Sequence, residues 1–303
     1  MKVLITGGTG SLAQYIIQQL EGEHELVLFD RVKPGENRFT FEIKHAYIQG
    51  DLTNGEDCAK AVAGCDAVIH LGAIPWPCDH PVWTPRIASY GIKVPPFDET
   101  VRVNTMGTYH VMYAAVQAGV KVVITAVSNC TLGHGFRISD KPFPVKYLPL
   151  DEEHPSDIED SYSLSKLFQS EVMHSFTRAY GIHTYGISPA TIMRPEQQQA
   201  HAQNIKPTEE ISEWFLGYQD IEDIARAYRM CLEAYKDLPP YDDYFINADD
   251  HLAPEDSVDL LKKFRPDLLD KVRDLPGRSS FLSAAKAKKA FGWKPEYSWT
   301  RFR

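Results

Sequence analysis

The sequence of 303 residues is poor in cysteine, with five in all, and none of them form a Cys-x-x-Cys pair. Cys58, Cys65, Cys78, Cys130 and Cys231 are an odd, scattered set, which argues against a disulfide framework and against a zinc site. No metal is expected, and a reducing, cytoplasmic setting fits best. Basic charge is short as well. With 32 Lys and Arg against 41 Asp and Glu, the formal net charge is -9, so neither nucleic acid nor an anionic membrane is expected as the main partner. No run approaches the ~18 apolar residues of a membrane span. Lys2-Val3-Leu4-Ile5 reads as a buried strand rather than as part of a signal peptide. Internal repeats are lacking, and Gln197-Gln198-Gln199 is too short to count as low complexity. The length suits one large α/β domain or two smaller ones.

What is present starts with a strand, a glycine turn and an amphipathic helix. Val3-Leu4-Ile5 runs into Thr6-Gly7-Gly8-Thr9-Gly10-Ser11-Leu12-Ala13, and Tyr15 to Leu20 continues as helix. Gly8-x-Gly10-x-x-Ala13 fits a dinucleotide fingerprint: the glycines let backbone approach a pyrophosphate, Ala13 allows close packing, and the helix N-terminus faces the anion. A second strand, Glu25 to Phe29, ends in Asp30, about 20 residues after the turn, where a carboxylate accepts from an adenosine ribose and repels a 2'-phosphate. NAD is therefore favoured over NADP, which the neighbouring Arg31 leaves open.

Further strands are expected at Ala46–Gly50, Ala67–Ala73, Val120–Thr125, Thr184–Ser188 and Tyr244–Asn247, with helices near 56–62, 101–115, 162–180, 257–264 and 284–291. This alternation argues for a parallel sheet covered on both faces. His70 and Ser128 fall at C-terminal strand ends, where ligands gather in such sheets, and His70 reads as part of a cofactor floor. Residues 74–98 interrupt the rhythm with six prolines, Trp76 and Trp83, and neither helix nor central strand is expected there. This stretch either borders a substrate pocket or is a surface excursion or subunit contact. In Tyr162-Ser163-Leu164-Ser165-Lys166 a phenol and an ammonium stand four apart on one helix face, an arrangement in which the cation can bring a tyrosine into use near neutral pH.

Thr6-Gly7-Gly8-Thr9-Gly10, Asp30, Asp51-Leu52, His70-Leu71-Gly72-Ala73, Asn104, Ser128 and Tyr162-x-x-x-Lys166 together resemble the extended short-chain dehydrogenase/reductase family, also called the NAD-dependent epimerase/dehydratase family. Asp220-Ile221-Glu222-Asp223-Ile224-Ala225 is similar to its later helix-starting motif. The resemblance implies a Rossmann-type doubly wound parallel sheet over residues 1–187 and a small, mainly substrate-binding C-terminal lobe over 188–303. It implies Tyr162 as the proton-transfer residue, Lys166 as its electrostatic partner and Ser128 as the orienting hydroxyl. Cofactor contacts are implied for Gly7, Gly10, Ser11, Leu12, Asp30, Asp51, Leu52, Leu71, Gly72, Ala73, Asn104, Tyr162 and Lys166, and substrate contacts for Ile74, Asn129, Cys130 and Pro189. Family members often dimerise through the two helices expected at 105–118 and 162–180.

The departures bear on the substrate. Asn129 and Cys130 stand where the family's 4,6-dehydratases carry an Asp-Glu pair. Leu216-Gly217-Tyr218 lacks the arginine with which its epimerases grip a diphosphate. Ser128-Asn129 and Ser212-Glu213-Trp214-Phe215 resemble uronate dehydrogenases, yet that branch's arginine is replaced by Glu209, Glu210 and Ile211, with Lys206 and Arg194 as candidate substitutes. Cys130 also matches a cysteine of the reductive GDP-sugar epimerase branch. The expectation is NAD-dependent hydride transfer on a hydroxyl or carbonyl of a small sugar-like substrate. A redox-neutral sugar epimerase is the alternative, and a non-catalytic nucleotide sensor follows it.

Overall fold

A computed structural model describes residues 1–36 and 41–303. Seven strands form one parallel sheet: β1 (Lys2–Thr6), β2 (Glu25–Asp30), β3 (Ala46–Gln49), β4 (Ala67–His70), β5 (Val122–Ala126), β6 (His183–Pro189) and β9 (Tyr241–Ile246), in the order β3-β2-β1-β4-β5-β6-β9. Continuous apolar runs such as Val3-Leu4-Ile5 and Val122-Val123-Ile124 are buried on both faces of the sheet, as strands between two helical layers must be. Register puts Thr6 beside both Phe29 and His70, and His70 beside Thr125. Strand order reverses direction between β1 and β4, so a crevice opens at their C-terminal ends. The expected Rossmann-type doubly wound sheet is what the chain adopts.

Helices α1 (Ser11–Leu20), α2 (Gly55–Val62), α5 (Gly107–Ala118), α6 (Ser161–Tyr180), α8 (Ile221–Ala234) and α10 (Ala285–Phe291) flank this sheet. Local chemistry sets several of their ends. Asn54 caps α2 by accepting from the Glu56 and Asp57 N–H groups, and Gly119 and Gly181 close α5 and α6 in the left-handed conformation that spares other residues' strain. Three expectations require correction. Strand β4 stops at His70, three residues early, because Leu71 and Gly72 N–H turn to the Thr6 hydroxyl at 3.2 and 3.1 Å. The helix expected from 101 enters as a short α4 (Glu99–Val101) and passes through a π turn, Arg102–Met106, before α5 begins. Inside the proline-rich stretch lies a helix, α3 (Trp83–Ser89). Pro85 falls in its first turn, where a missing N–H costs nothing, and the buried His80 ring accepts from Val82 and Trp83 N–H.

The chain after residue 188 divides its contributions. Strand β9 and helix α8 return to the main sheet, α8 packing on α1. A second, two-stranded parallel sheet joins β7 (Thr191–Met193) to β8 (Tyr218–Asp220). Beside it lie α7 (Pro195–Gln203) and α9 (Ser257–Phe264), the latter over an apolar cluster that includes Phe143, Phe215, Leu260 and Phe281. Phe215 and Leu216 stand at φ 52° and 53°, a region that costs non-glycine residues about 1–3 kcal/mol each.

Candidate active site

The crevice after β1, β2 and β4 holds a cavity of about 550 Å³. Gly7, at φ +65°, makes its floor possible: a Cβ there would sit 2.8 Å from the Gly72 nitrogen. Gly10 precedes α1, whose N-terminus has no side-chain cap and no acidic residue in its first turn, which leaves that end electropositive toward an anion. Across the cavity, Asp30 is already oriented. Its Oδ2 accepts from the Thr9 N–H at 3.1 Å and hydroxyl at 2.8 Å, and its Oδ1 from Val32 N–H at 3.1 Å. Each carboxylate oxygen can accept again, so the arrangement fits a ribose. Asp51, Leu52, Leu71, Gly72, Ala73 and Ile74 also line this cavity. The glycine floor, uncapped helix and rim carboxylate are a donor set that suits a dinucleotide.

Two expected cofactor residues lie deeper. Asn104 is buried with its amide spent on protein: Oδ1 accepts from Ile74 N–H at 2.8 Å, and Nδ2 donates to Ile74 O at 3.0 Å and Ser165 Oγ at 2.9 Å. It clamps the cavity wall to α6 and is not among the lining residues. His70, read as cofactor floor, is corrected to a buried strut. Its Nδ1 bonds the Thr6 hydroxyl at 2.7 Å and its Nε2 the Thr108 hydroxyl at 3.1 Å, and burial drives its pKa down to about 3, with Lys166 adding to the effect. Gln169 of α6 donates to the same Thr108 hydroxyl at 2.6 Å, so this chain of bonds ties the helix to the sheet. Ser11 and Leu12 form the first turn of α1 and are not among the lining residues either.

A second cavity, about 280 Å³, holds Ser128, Asn129, Cys130, Tyr162 and Pro189 together. Pro75 lines both cavities, which therefore meet at that residue. Ser128 is extended at the end of β5, where its Oγ accepts from Cys130 N–H at 3.1 Å, and it lines the cavity together with the Tyr162 phenol. Lys166 stands one turn on, its Nζ donating to Ala126 O at 2.8 Å and lying 5.6 Å from the centroid of the Tyr162 ring. Burial governs the electrostatics. It lowers Lys166 to about 7 and pushes the Tyr162 phenol up, with Cys130 adding to the rise and the Ser128 hydroxyl opposing it. In the chain's own groups both charges are penalised together, so a phenolate calls for the positive nicotinamide as well as Lys166. Burial also raises the Cys130 thiol to about 12.

Phe136, Ala190, Thr191, Ile192 and Trp214 complete the second cavity. Phe136 lies edge-on to Trp214 at 4.9 Å and to Tyr162 at 5.4 Å, and Trp83 of α3 backs Phe136 at 5.2 Å. The proline-rich stretch therefore borders both cavities, through Pro75 directly and Trp83 behind. Sequence reasoning singled out Trp214 but missed Phe136, Thr191 and Ile192, for which no local pattern signals a wall. The suggested anchors do not reach: Arg194 pairs with Glu196, Lys206 is exposed, and neither is among the lining residues.

The model of the 3-beta hydroxysteroid dehydrogenase/isomerase family matches residues 4–167, and that of the NAD dependent epimerase/dehydratase family matches residues 93–246. A 3-beta-hydroxysteroid dehydrogenase of Mycolicibacterium neoaurum is 28% identical over 195 residues, 63% of this chain and 47% of the relative. A uronate dehydrogenase of Pseudomonas putida is 27% identical over 186 residues, 61% of this chain and 59% of the relative. The chain thus spans roughly half of the length of these curated relatives. Among solved structures, a UDP-glucose 4-epimerase of Thermotoga maritima superposes with a TM-score of 0.67 at 16% identity, covering 98% of this chain and 94% of that one; at such identity the likeness is one of fold. Each family model takes in more than half of the 303 residues, and the chain belongs to the NAD dependent epimerase/dehydratase family of extended short-chain dehydrogenases/reductases.

Proposed function

We propose that the protein is an NAD-dependent oxidoreductase that moves hydride between the nicotinamide and a hydroxyl or carbonyl carbon of a small sugar-like substrate. The observation that carries this reading is the meeting of the two cavities at Pro75, with Tyr162 and Ser128 in the smaller one. When bound, NAD supplies the hydride acceptor. The chain's residues handle the proton: Ser128 orients the substrate oxygen, and Tyr162 exchanges a proton with it within hydrogen-bond reach. Because burial holds the phenol protonated, the resting site presents an acid suited to a carbonyl oxygen. The reverse, oxidative direction requires that proton to leave first, so Lys166 acts by keeping a positive potential at the phenol oxygen. NAD rather than NADP is supported by the oriented carboxylate of Asp30. Substrate binding by the lobe after residue 188 is supported by Pro189, Thr191 and Trp214 in the smaller cavity.

The reading extends to a homodimer joined through α5 and α6, whose outer faces carry exposed aromatic residues, and to a reducing cytoplasmic setting, which the five unpaired, buried cysteines support. Activity is tested by supplying NAD or NADP with aldoses, sugar acids, polyols and nucleotide sugars, following NADH formation and analysing products. Tyr162→Phe should lower turnover by about 10²–10⁴-fold while leaving NAD affinity unchanged; undiminished turnover sinks the mechanism. Conversion of a sugar into its epimer without net NADH would instead select the epimerase reading.

A further inference from the structure

We propose that the substrate is a compact, uncharged ring carbinol, or the corresponding ketone, with a hydroxyl-poor edge, and is neither a sugar acid nor a nucleoside-diphosphate sugar. This rests on the hydride-transfer reading above and names its substrate class. Size is the first constraint. A dry apolar cavity of about 150 Å³ takes one benzene ring, so the cavity of about 280 Å³ at Tyr162 is matched in size to one substituted six-membered ring.

Charge is the second constraint. Among the described residues, no Lys, Arg or His lines this cavity. Lys166 is turned to the Ala126 carbonyl, and Arg137 is paired with Asp157 and Glu159. A carboxylate or diphosphate placed here would be desolvated without a cation, which buried anions do not tolerate.

Polarity is the third. Apart from Ser128 and Tyr162, which serve the reacting oxygen, the polar lining is Asn129, Thr191 and the Cys130 thiol. Pro75, Phe136, Pro189, Ala190, Ile192 and Trp214 make up the rest. A ring hydroxylated at every carbon would turn some of its hydroxyls onto the apolar part of that wall, away from the few side chains that can bond them.

The wall is also built, not incidental. Trp214 precedes the two non-glycine residues at φ 52° and 53°, and Phe215 is buried 6.3 Å from Phe281. The chain accepts a left-handed turn there and so presents the indole to the cavity. Gly135 admits it, since a Cβ at that position would lie 2.9 Å from the Trp214 ring. Strained backbone held by its surroundings is where specificity devices collect.

The test compares kcat/KM for NAD-dependent oxidation of 6-deoxyhexoses, cyclohexanediols, the parent hexoses, hexuronates and UDP-hexoses. At least one hydroxyl-poor ring should exceed its fully hydroxylated counterpart by about tenfold or more, with hexuronates and UDP-hexoses not turned over. The first two arms separate a deoxy sugar from an alicyclic alcohol. Trp214→Ala should erase the preference by raising KM for the hydroxyl-poor ring without changing KM for NAD. If that variant does not fold, Thr191→Arg, at an exposed position on the cavity rim, should weaken the preference and admit hexuronates. Preference for a hexuronate or UDP-hexose, equal use of the parent hexose, or no turnover of any hydroxyl-poor ring overturns the proposal. In the first two cases, turnover abolished by Tyr162→Phe leaves the hydride-transfer reading standing, whereas turnover that survives this substitution brings that reading down.

Discussion

Most polar side chains around the site are committed to protein partners, and their cost or benefit is fixed by burial. Asn104 and His70 show the satisfied case, in which every hydrogen-bonding atom meets a partner and the residue serves as a strut. Glu152 is the costly case. Its Oε1 accepts from Phe245 N–H on β9 at 2.6 Å, yet burial raises its pKa from 4.5 to about 7, opposed by backbone hydrogen bonds and by Lys286. A carboxyl whose folded pKa is raised holds its proton while the unfolded chain has released it. Stability is therefore fully present below about pH 4.5 and is lost as pH rises to about 7. Glu152→Gln keeps a carbonyl oxygen for Phe245 and removes the titration. In urea melts the variant should gain on the wild type by on the order of 2 kcal/mol between about pH 5 and pH 8. A difference that does not change with pH would show that solvent already reaches this carboxylate.

At the scale of elements, the start of α8 concentrates more interactions than its length suggests. Asp220 is fully buried; Oδ1 accepts from Glu222 N–H at 2.7 Å, and Oδ2 accepts from Gln198 of α7 at 2.5 Å and Arg301 at 3.0 Å. One carboxylate thus caps a helix and fastens α7 and the C-terminal segment to it. Asp220→Ala should cost about 2–3 kcal/mol, since it leaves the buried Gln198 amide and the helix end without their acceptor, while Arg301, 28% exposed, can turn to solvent. Denaturant midpoints measure this, and a loss below about 1 kcal/mol, the scale of a simple cap, would mean that the Gln198 bond contributes nothing. This motif was legible in the sequence, as were the glycine turn, Asp30 and the Tyr162–Lys166 pair, because each is a short-range pattern whose neighbours are its own chemistry. The aromatic wall was not legible: Trp83, Phe136 and Trp214 come from three distant segments, and only tertiary packing sets their rings together. Helix α3 was hidden by Pro85, whose harmlessness depends on its falling in the first turn.

Across the whole molecule, the sheet is covered on both sides, but the cover is not itself finished. Among the described residues, Met106, Tyr109 and Tyr113 are large hydrophobics left exposed along the π turn and α5, and Phe168 and Tyr180 along α6. Tyr109, Tyr113 and Phe168 are 45, 52 and 39% exposed, and these two helices are neighbours. Concave surfaces lined by Tyr109 lie on either side, one reaching Tyr113 and the other Phe168. Isolated exposed apolar residues need no explanation, whereas several sharing one face mark an interface. A second copy of the same face, related by twofold symmetry, would cover it with four helices. Net charge of -9 opposes such pairing only weakly at physiological salt, where charges more than about 8 Å apart are screened. Light scattering of the wild type should therefore report twice the chain mass of 34.3 kDa. Tyr113→Glu combined with Phe168→Glu should return the single-chain mass, because two buried carboxylates facing their own symmetry mates outweigh the apolar area regained. Helical circular dichroism should be unchanged, as neither side chain is in the core. A wild type that stays monomeric at tens of micromolar would leave these aromatics as free surface and remove the homodimer from the description of this protein.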